Sequence, residues 1–348
     1  MELKIGKRSI GHNHPVFIIA ELSANHLQNF NLAVDTIKAM KKSGADAVKL
    51  QTYTPDTITI DSDNEYFQIG QGTLWDGKTL YQLYQEAFTP WEWQPKLKKI
   101  AEDLGLICFS SPFDRTAVDF LEEMNVPAYK VASFEINDIP LIKYIASKGK
   151  PVIISTGIAT LADIEEAVNA CVRIGNDQIA LLKCTSAYPA PLEESNLRTI
   201  PNLADTFNTV VGLSDHTLGI SAPVASVALG AKIIEKHFIL DRKMGGPDAA
   251  FSMEPDEFRS MVEAVREVEK ALGTVNYDLT EKTKKSREFS RSLFVVEDIR
   301  AGESLTEENV RSIRPGFGLH PRYLGQIIGK KARTDIKKGT PLDWTLIE

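Results

Sequence analysis

Eight short, β-branched apolar runs, each separated from the next by a segment of helical period, restrict the fold of this chain more than any other feature. They are VFIIAE (16–21), DAVKLQ (46–51), LICFSS (106–111), AYKVAS (128–133), VIIST (152–156), IALLKCT (179–185), TVVGLS (209–214) and AKIIEKHF (231–238). Runs this apolar fit strands covered on both faces, and the helical spacers fit the crossovers that parallel strands require. Eight such units between residue 16 and about residue 273 match a (β/α)8 TIM barrel, an α/β fold of roughly 250 residues. Neither a GxGxxG nor a Walker sequence is present, which disfavours a nucleotide-binding open sheet.

Local signals place the helices. Asn31 to Ser43 reads as a helix stopped by Gly44, Thr89-Pro90-Trp91-Glu92 as a capping box with proline in the first turn, and Thr160 to Asp163 as another helix start. Residues 54–88 are too long for a simple connection and rich in aromatic side chains, so they are expected to cover a substrate. The barrel is assigned to 1–273 and a polar, charged linker to 274–290. A small, mostly β domain follows at 291–348, where Asp298-Ile-Arg-Ala-Gly302-Glu-Ser-Leu305 recurs as Asp335-Ile-Lys-Lys-Gly339-Thr-Pro-Leu342.

Several classes of function are excluded at this level. No stretch approaches the roughly 18 consecutive apolar residues of a membrane span, and the N-terminus lacks the apolar segment of a signal peptide, so a cytoplasmic location is expected. Cys108, Cys171 and Cys184 form no CxxC pair and read as small buried hydrophobes. Residues 282–348 carry 14 Lys and Arg against 9 Asp and Glu, interleaved with apolar residues, which suits an anionic small molecule and not a nucleic acid.

In a barrel of this kind the chemistry sits at the C-terminal ends of the strands. Those ends carry Glu21, Lys49 with Gln51, Ser110 and Ser111, Lys130 with Ser133 and Glu135, Ser155, Thr185 with Ser186 and Tyr188, Ser214 with Asp215 and His216, and His237. Lys49 and Lys130 interrupt apolar strands and need partners. Pairing with Glu21 or Glu135 is one solution; a phosphate and a carboxylate held by two lysines and several hydroxyls is the other. His216 and His237 close adjacent strands and read as a divalent-metal pair with open coordination positions. His12 and His14 have the HxH spacing of barrel metallohydrolases but precede the first strand, which puts them at the opposite end.

The motifs IAELSANH, VKLQ, SSPFD, YKVASFE, LKCTSAYP, GLSDHTLGI, IIEKHFILD and GGPDAAFSMEPDE resemble the sialic acid synthase family along essentially the whole chain, the tail being similar to its antifreeze-like (SAF) domain. The resemblance implies condensation of phosphoenolpyruvate with an N-acetylated amino-hexose beside a divalent metal, Mn²⁺ with Mg²⁺ or Co²⁺ as alternatives. By that resemblance Lys49, Ser111, Lys130, Ser133, Ser155, Ser214 and Ser186 hold phosphoenolpyruvate, Ser186 standing where the family usually has asparagine. Glu21, Tyr188 and Asp248 bind the amino sugar, His216 and His237 the metal, and Glu135 is the acid–base residue. Arg314 matches an arginine that a partner subunit supplies, implying a domain-exchanged homodimer.

Within the family, Ala249-Ala250-Phe251 replaces a polar stretch, and the 54–88 insertion and KCTSAYPAP look most like the pseudaminic acid synthases, whose substrate is a 6-deoxy hexose with two acetamido groups. Phe251 or the Trp75 loop is expected to cover the 6-methyl group. The alternatives are an N-acetylneuraminate or legionaminate synthase, a lysine-imine aldolase using Lys130 or Lys183, a barrel metallohydrolase using His12 and His14, and a non-enzymatic carbohydrate-binding protein.

Overall fold

The computed structural model describes residues 2–70 and 72–348. It opens with a hairpin that the sequence pattern did not reveal, β1 (Glu2–Ile5) paired antiparallel with β2 (Arg8–Gly11). Four-residue strands carry too few alternations to register as a period. Leu3, Ile5 and Ile10 nonetheless join the barrel's core. Each such side chain contributes about 1.5–3 kcal/mol by burial.

All eight expected runs form strands: β3 (Phe17–Glu21), β4 (Ala47–Thr52), β5 (Ile107–Pro112), β6 (Tyr129–Val131), β7 (Val152–Ser155), β8 (Ile179–Cys184), β9 (Val210–Asp215) and β10 (Ile233–His237). They are parallel and close in chain order, β10 pairing back onto β3. His12 and His14 lie at the N-terminal end of this barrel: Lys232, just before β10, donates to the His12 carbonyl, and His14 faces Glu2 at 3.3 Å.

Helix Pro255–Leu272 starts with proline inside a Glu254–Glu257 capping box and buries Phe258, Met261, Val262 and Val265, one face at helical spacing. Gly44, at φ +92°, lets the chain pass so close to Val262 that a Cβ would stand 3.0 Å from it. The expected capping box at Thr160 and Asp163 is present, whereas the one at Thr89 is not. Thr89 is buried and its hydroxyl bonds to His26 Nε2 at 3.1 Å, so the side chain serves the core and leaves the turn Trp91–Trp93 uncapped. Residues 54–88 include helices Pro55–Ile58 and Leu80–Ala87, with Leu83 and Ala87 buried.

Met1–Gly273 and Thr274–Glu348 are separate compact units. Residues 274–290 are exposed and include the short helix Glu281–Ser286. In the second unit β11 (Ser292–Val295) pairs antiparallel with β12 (Val310–Ile313), over a core that includes Leu293, Ile299, Leu305, Ile336 and Leu342. The sequence repeat becomes a local twofold relation. Ile299 and Ile336 exchange both backbone hydrogen bonds, Asp335 accepts from the Ala301 amide, and Asp298 accepts from the Lys338 amide. Gly302 and Gly339 make the two equivalent left-handed turns. No helix among the described residues is long and apolar enough to cross a membrane.

Candidate active site at the mouth of the barrel

Because side chains alternate along a strand, charged and polar residues near the strand ends can point into the barrel while their neighbours stay in the wall. Glu21, Lys49, Lys130, Ser155, Ser214, Glu235 and His237 do so, and line a cavity of about 330 Å³ at the C-terminal end. Lys49 Nζ lies 2.9 Å from Glu21 and 2.7 Å from Glu235. Lys130 lies 3.5 Å from Glu235 and donates to Ser155 Oγ at 2.7 Å, and Ser214 donates to Glu235 at 2.9 Å. All of these residues are buried, His237 being the most exposed at 7%.

Sequence reasoning missed Glu235, the acceptor shared by both lysines. The available signal was its place two residues before His237, which puts both on the same face of β10. Burial works against the charges, but the pairing decides three of the four. Burial opposes but Lys49 and His237 outweigh it at Glu21, which is held well below the usual carboxylate range. Glu235 is lowered in the same sense against its burial, chiefly by Lys130 and Lys49, and Lys49 is raised against its burial by Glu21 and Glu235. Lys130 goes the other way, because its burial exceeds what Glu235 returns.

Polar atoms without partners mark where a ligand is wanted. Ser111 Oγ, Ser186 Oγ, Glu135 Oε2, Glu235 Oε2 and His237 Nδ1 are all buried and unpaired among the described residues, and all belong to the strand-end ring. Ser111 stands beside Gln51 in register, and Ser133 Oγ accepts from the Gly157 amide at 3.1 Å. A Cβ at Gly157 would come within 2.1 Å of Ser186 Oγ and 2.7 Å of Ser133 Oγ, so this glycine lets the hydroxyls converge. Burial, partly offset by Lys130, lifts the Glu135 carboxyl to about 7.

The two histidines adjoin across β9 and β10, ring centroids 5.3 Å apart. His216 Nδ1 is 3.0 Å from the Thr185 carbonyl, which can only accept, so that nitrogen carries the proton and Nε2 keeps its lone pair. His237 Nε2 is 3.1 Å from Glu21 Oε2. Among the described residues no three His, Cys, Asp or Glu side chains are arranged to enclose a metal ion. Cys184, expected only to pack, lines the cavity 3.8 Å from His216 Nδ1.

The rest of the ring is knit by polar and aromatic contacts. Gln51 donates to Glu21 at 2.9 Å, and Ser23 bonds to Asp248, 3.9 Å from His237 Nδ1. Tyr188 packs on His216 and on Phe251, and Trp75 packs on Tyr188 while its indole donates to the Pro247 carbonyl at 2.9 Å. The structure thus brings Glu21, Lys49, Lys130, Ser133, Glu135, Ser155, Tyr188, Ser214, His216, His237, Asp248 and Phe251 to one cavity. Ser111 and Ser186 do not line it directly, and Arg314 is an exposed residue of the second unit.

Comparison with known proteins agrees with this geometry. The NeuB family model matches residues 36–277 and the SAF domain model residues 290–348. The pseudaminic acid synthase of Campylobacter jejuni is 50% identical over 327 residues, 94% of this chain and 95% of that protein. That of Helicobacter pylori is 49% identical over 335 residues, covering 96% and 98%. The solved N-acetylneuraminic acid synthetase of Leptospira borgpetersenii superposes with a TM-score of 0.74 at 31% identity, covering 82% of this chain and 95% of that one. Likeness of this extent, on a closed barrel with its charged residues gathered at one mouth, makes the chain a member of the NeuB family.

Proposed function

We infer that the chain condenses phosphoenolpyruvate with 2,4-diacetamido-2,4,6-trideoxy-L-altrose and water, giving pseudaminic acid and phosphate. One observation carries the reaction class: two buried lysines and the hydroxyls of Ser133, Ser155 and Ser214 line the same cavity as two adjacent imidazoles. An anionic enol and an aldehyde are thereby brought face to face. The pseudaminic acid synthases of Campylobacter jejuni and Helicobacter pylori support the choice of sugar.

Lys49 and Lys130, with Ser111, Ser133, Ser155, Ser186 and Ser214, take the phosphate and carboxylate of phosphoenolpyruvate. Their existing salt bridges hold the ammonium groups in place before the ligand arrives, which lowers reorganisation during the reaction. Glu21, Tyr188 and Asp248 orient the open-chain sugar so that C3 of the enol can bond to its aldehyde carbon. Glu135, ionised above about pH 7, takes a proton from the water that adds at C2. Loss of phosphate from that carbon leaves the C2 carbonyl, built on the oxygen of the added water; of that water's two protons one ends on the former aldehyde oxygen and the other on the departing phosphate, whose charge the lysines receive.

His216 and His237 would hold a divalent cation, which we propose to be Mn²⁺ with Mg²⁺ or Co²⁺ as alternatives. The unpaired His237 Nδ1 and the free His216 Nε2 are donors of the right chemistry for it. When bound, such a cation polarises an aldehyde oxygen. We also propose a homodimer in which Arg314 of the exposed second-unit surface reaches the sugar in a partner subunit.

Phe251 and Trp75 form an apolar wall with Tyr188, which suits a 6-methyl group better than a 6-hydroxyl. Phosphate release with phosphoenolpyruvate and a panel of N-acetylated hexoses, followed by product mass, tests the reading. Equal or better turnover of N-acetylmannosamine would sink the choice of sugar. Trapping of substrate on the enzyme by borohydride would favour the lysine-imine aldolase instead.

A further inference from the structure

The cavity has a second aromatic wall with no part in the scheme above. Tyr53 follows β4 and Phe113 follows β5, and Tyr84 comes from helix Leu80–Ala87. The Tyr53 ring is 5.6 Å from Tyr84 and 5.1 Å from Phe113, edge to face in both cases. Ile58 and Leu83 complete a lobe of the same cavity. In the closed order of strands β4 and β5 stand across the barrel from β8 and β9, which carry Tyr188 and His216 in the turns that follow them. A sugar chain whose reacting carbon sits at the histidines can therefore direct a remote substituent toward this wall.

Two features point to a substituent that is part apolar and part polar. Tyr53 is only 3% exposed and Tyr84 half-buried, both line the cavity, and neither hydroxyl bonds to another of the described residues, so both are left to face what the cavity holds. A buried phenol normally finds a hydrogen-bond partner. Burial also holds both phenols above their usual range, so each remains a donor at neutral pH. Aromatic faces and aliphatic side chains suit a methyl group, and two unpaired hydroxyls suit an amide.

We propose that the Tyr53–Tyr84–Phe113 wall is a subsite for the 4-acetamido group of the sugar, its methyl packed on the rings and its amide bonded to the phenol hydroxyls. The proposal rests on the reading that the substrate is a diacetamido hexose. It makes the 54–88 segment a determinant of selectivity at C4, separate from the Trp75 contact at the other wall.

The test uses the full chain and the variants Tyr53→Phe and Tyr84→Phe, which keep the rings and remove only the hydroxyls. Initial rates of phosphate release are measured with the diacetamido sugar and with its analogue bearing a 4-hydroxyl. A fall of about threefold to tenfold in kcat/KM for the diacetamido sugar is expected for each variant. The analogue should change less than twofold, and KM for phosphoenolpyruvate should be unmoved. A parallel fall for both sugars, or no change for either, overturns the subsite. A wild-type enzyme that releases no phosphate with the diacetamido sugar overturns the underlying reading as well.

Discussion

Lys236 of β10 donates to the Asp215 carboxylate of β9 at 2.5 Å, behind the cavity wall, and neither residue is more than 3% exposed. The same ammonium bonds to the Thr217 carbonyl, and Asp215 accepts from the Thr217 amide at 3.0 Å and its hydroxyl at 3.1 Å. His216 lies between Asp215 and Thr217, and His237 follows Lys236. One buried ion pair therefore fixes the backbone on which both imidazoles stand.

Replacing Lys236 by Met alone leaves Asp215 buried without its counter-charge and should cost about 3–5 kcal/mol of stability. The double change Lys236→Met with Asp215→Asn removes both charges at nearly constant volume and should regain most of that loss. It still frees the Thr217 carbonyl. Mn²⁺ affinity, read by electron paramagnetic resonance titration, should fall about 10- to 100-fold even in the folded double variant. Wild-type affinity there would show that the pair serves stability alone.

As the proposed base, Glu135 should set the acid limb of the pH profile. Burial moves its carboxyl up to about 7, so a base at this position is lost as pH falls through that value. The kcat should therefore rise with pH between about 6 and 8. Glu135→Gln should lower kcat about 10²–10⁴-fold and flatten that limb, with the KM for phosphoenolpyruvate little changed. An unaltered limb in the variant would assign the titration to another group.

Much of the cavity's lining is legible in the sequence, for a definite reason. Parallel strands buried on both faces leave continuous apolar runs, and a charge that interrupts one, such as Lys49 or Lys130, announces a partner or a ligand. Glu235 escaped notice because the adjacent Lys236 made a charged pair at the strand end look like an ordinary exit from the core. Thr89 misled for the opposite reason: its sequence context spelled a cap, but the hydroxyl was claimed by His26, 63 residues away in the chain. The tail repeat was visible, whereas its twofold hydrogen-bond exchange depends on which copies pair, which no local pattern records.

Gly157 is a steric prediction. Any Cβ there would stand 2.1 Å from Ser186 Oγ and 2.7 Å from Ser133 Oγ, two hydroxyls assigned to phosphoenolpyruvate. Gly157→Ala must push one of them aside, and its own φ is not left-handed, so the backbone itself tolerates alanine. The expected outcome is a KM for phosphoenolpyruvate raised about tenfold or more, an amount equal to about one charge-assisted hydrogen bond. Thermal unfolding should shift little, and the sugar KM should hold. A large fall in stability with unchanged KM would make Gly157 a packing residue.

Glu235 offers the sharpest electrostatic test, because it supports two lysines of opposite tendency. Lys49 also has Glu21 at 2.9 Å, but the only carboxylate within 4 Å of Lys130, among the described residues, is Glu235 at 3.5 Å. Burial already pulls Lys130 below the usual lysine range, with Glu235 as the first of the influences that oppose it. Glu235→Gln keeps an acceptor for Lys49 and Ser214 but removes the charge, so the ammonium of Lys130 becomes costlier to maintain. Its proton is then lost at lower pH, and the anion site loses a charge. The KM for phosphoenolpyruvate should rise in the variant, and rise more at pH 8.5 than at pH 6.5, whereas the wild type should show the smaller difference. If the variant's KM were raised equally at both pH values, Glu235 would be acting by geometry and not by holding the Lys130 proton.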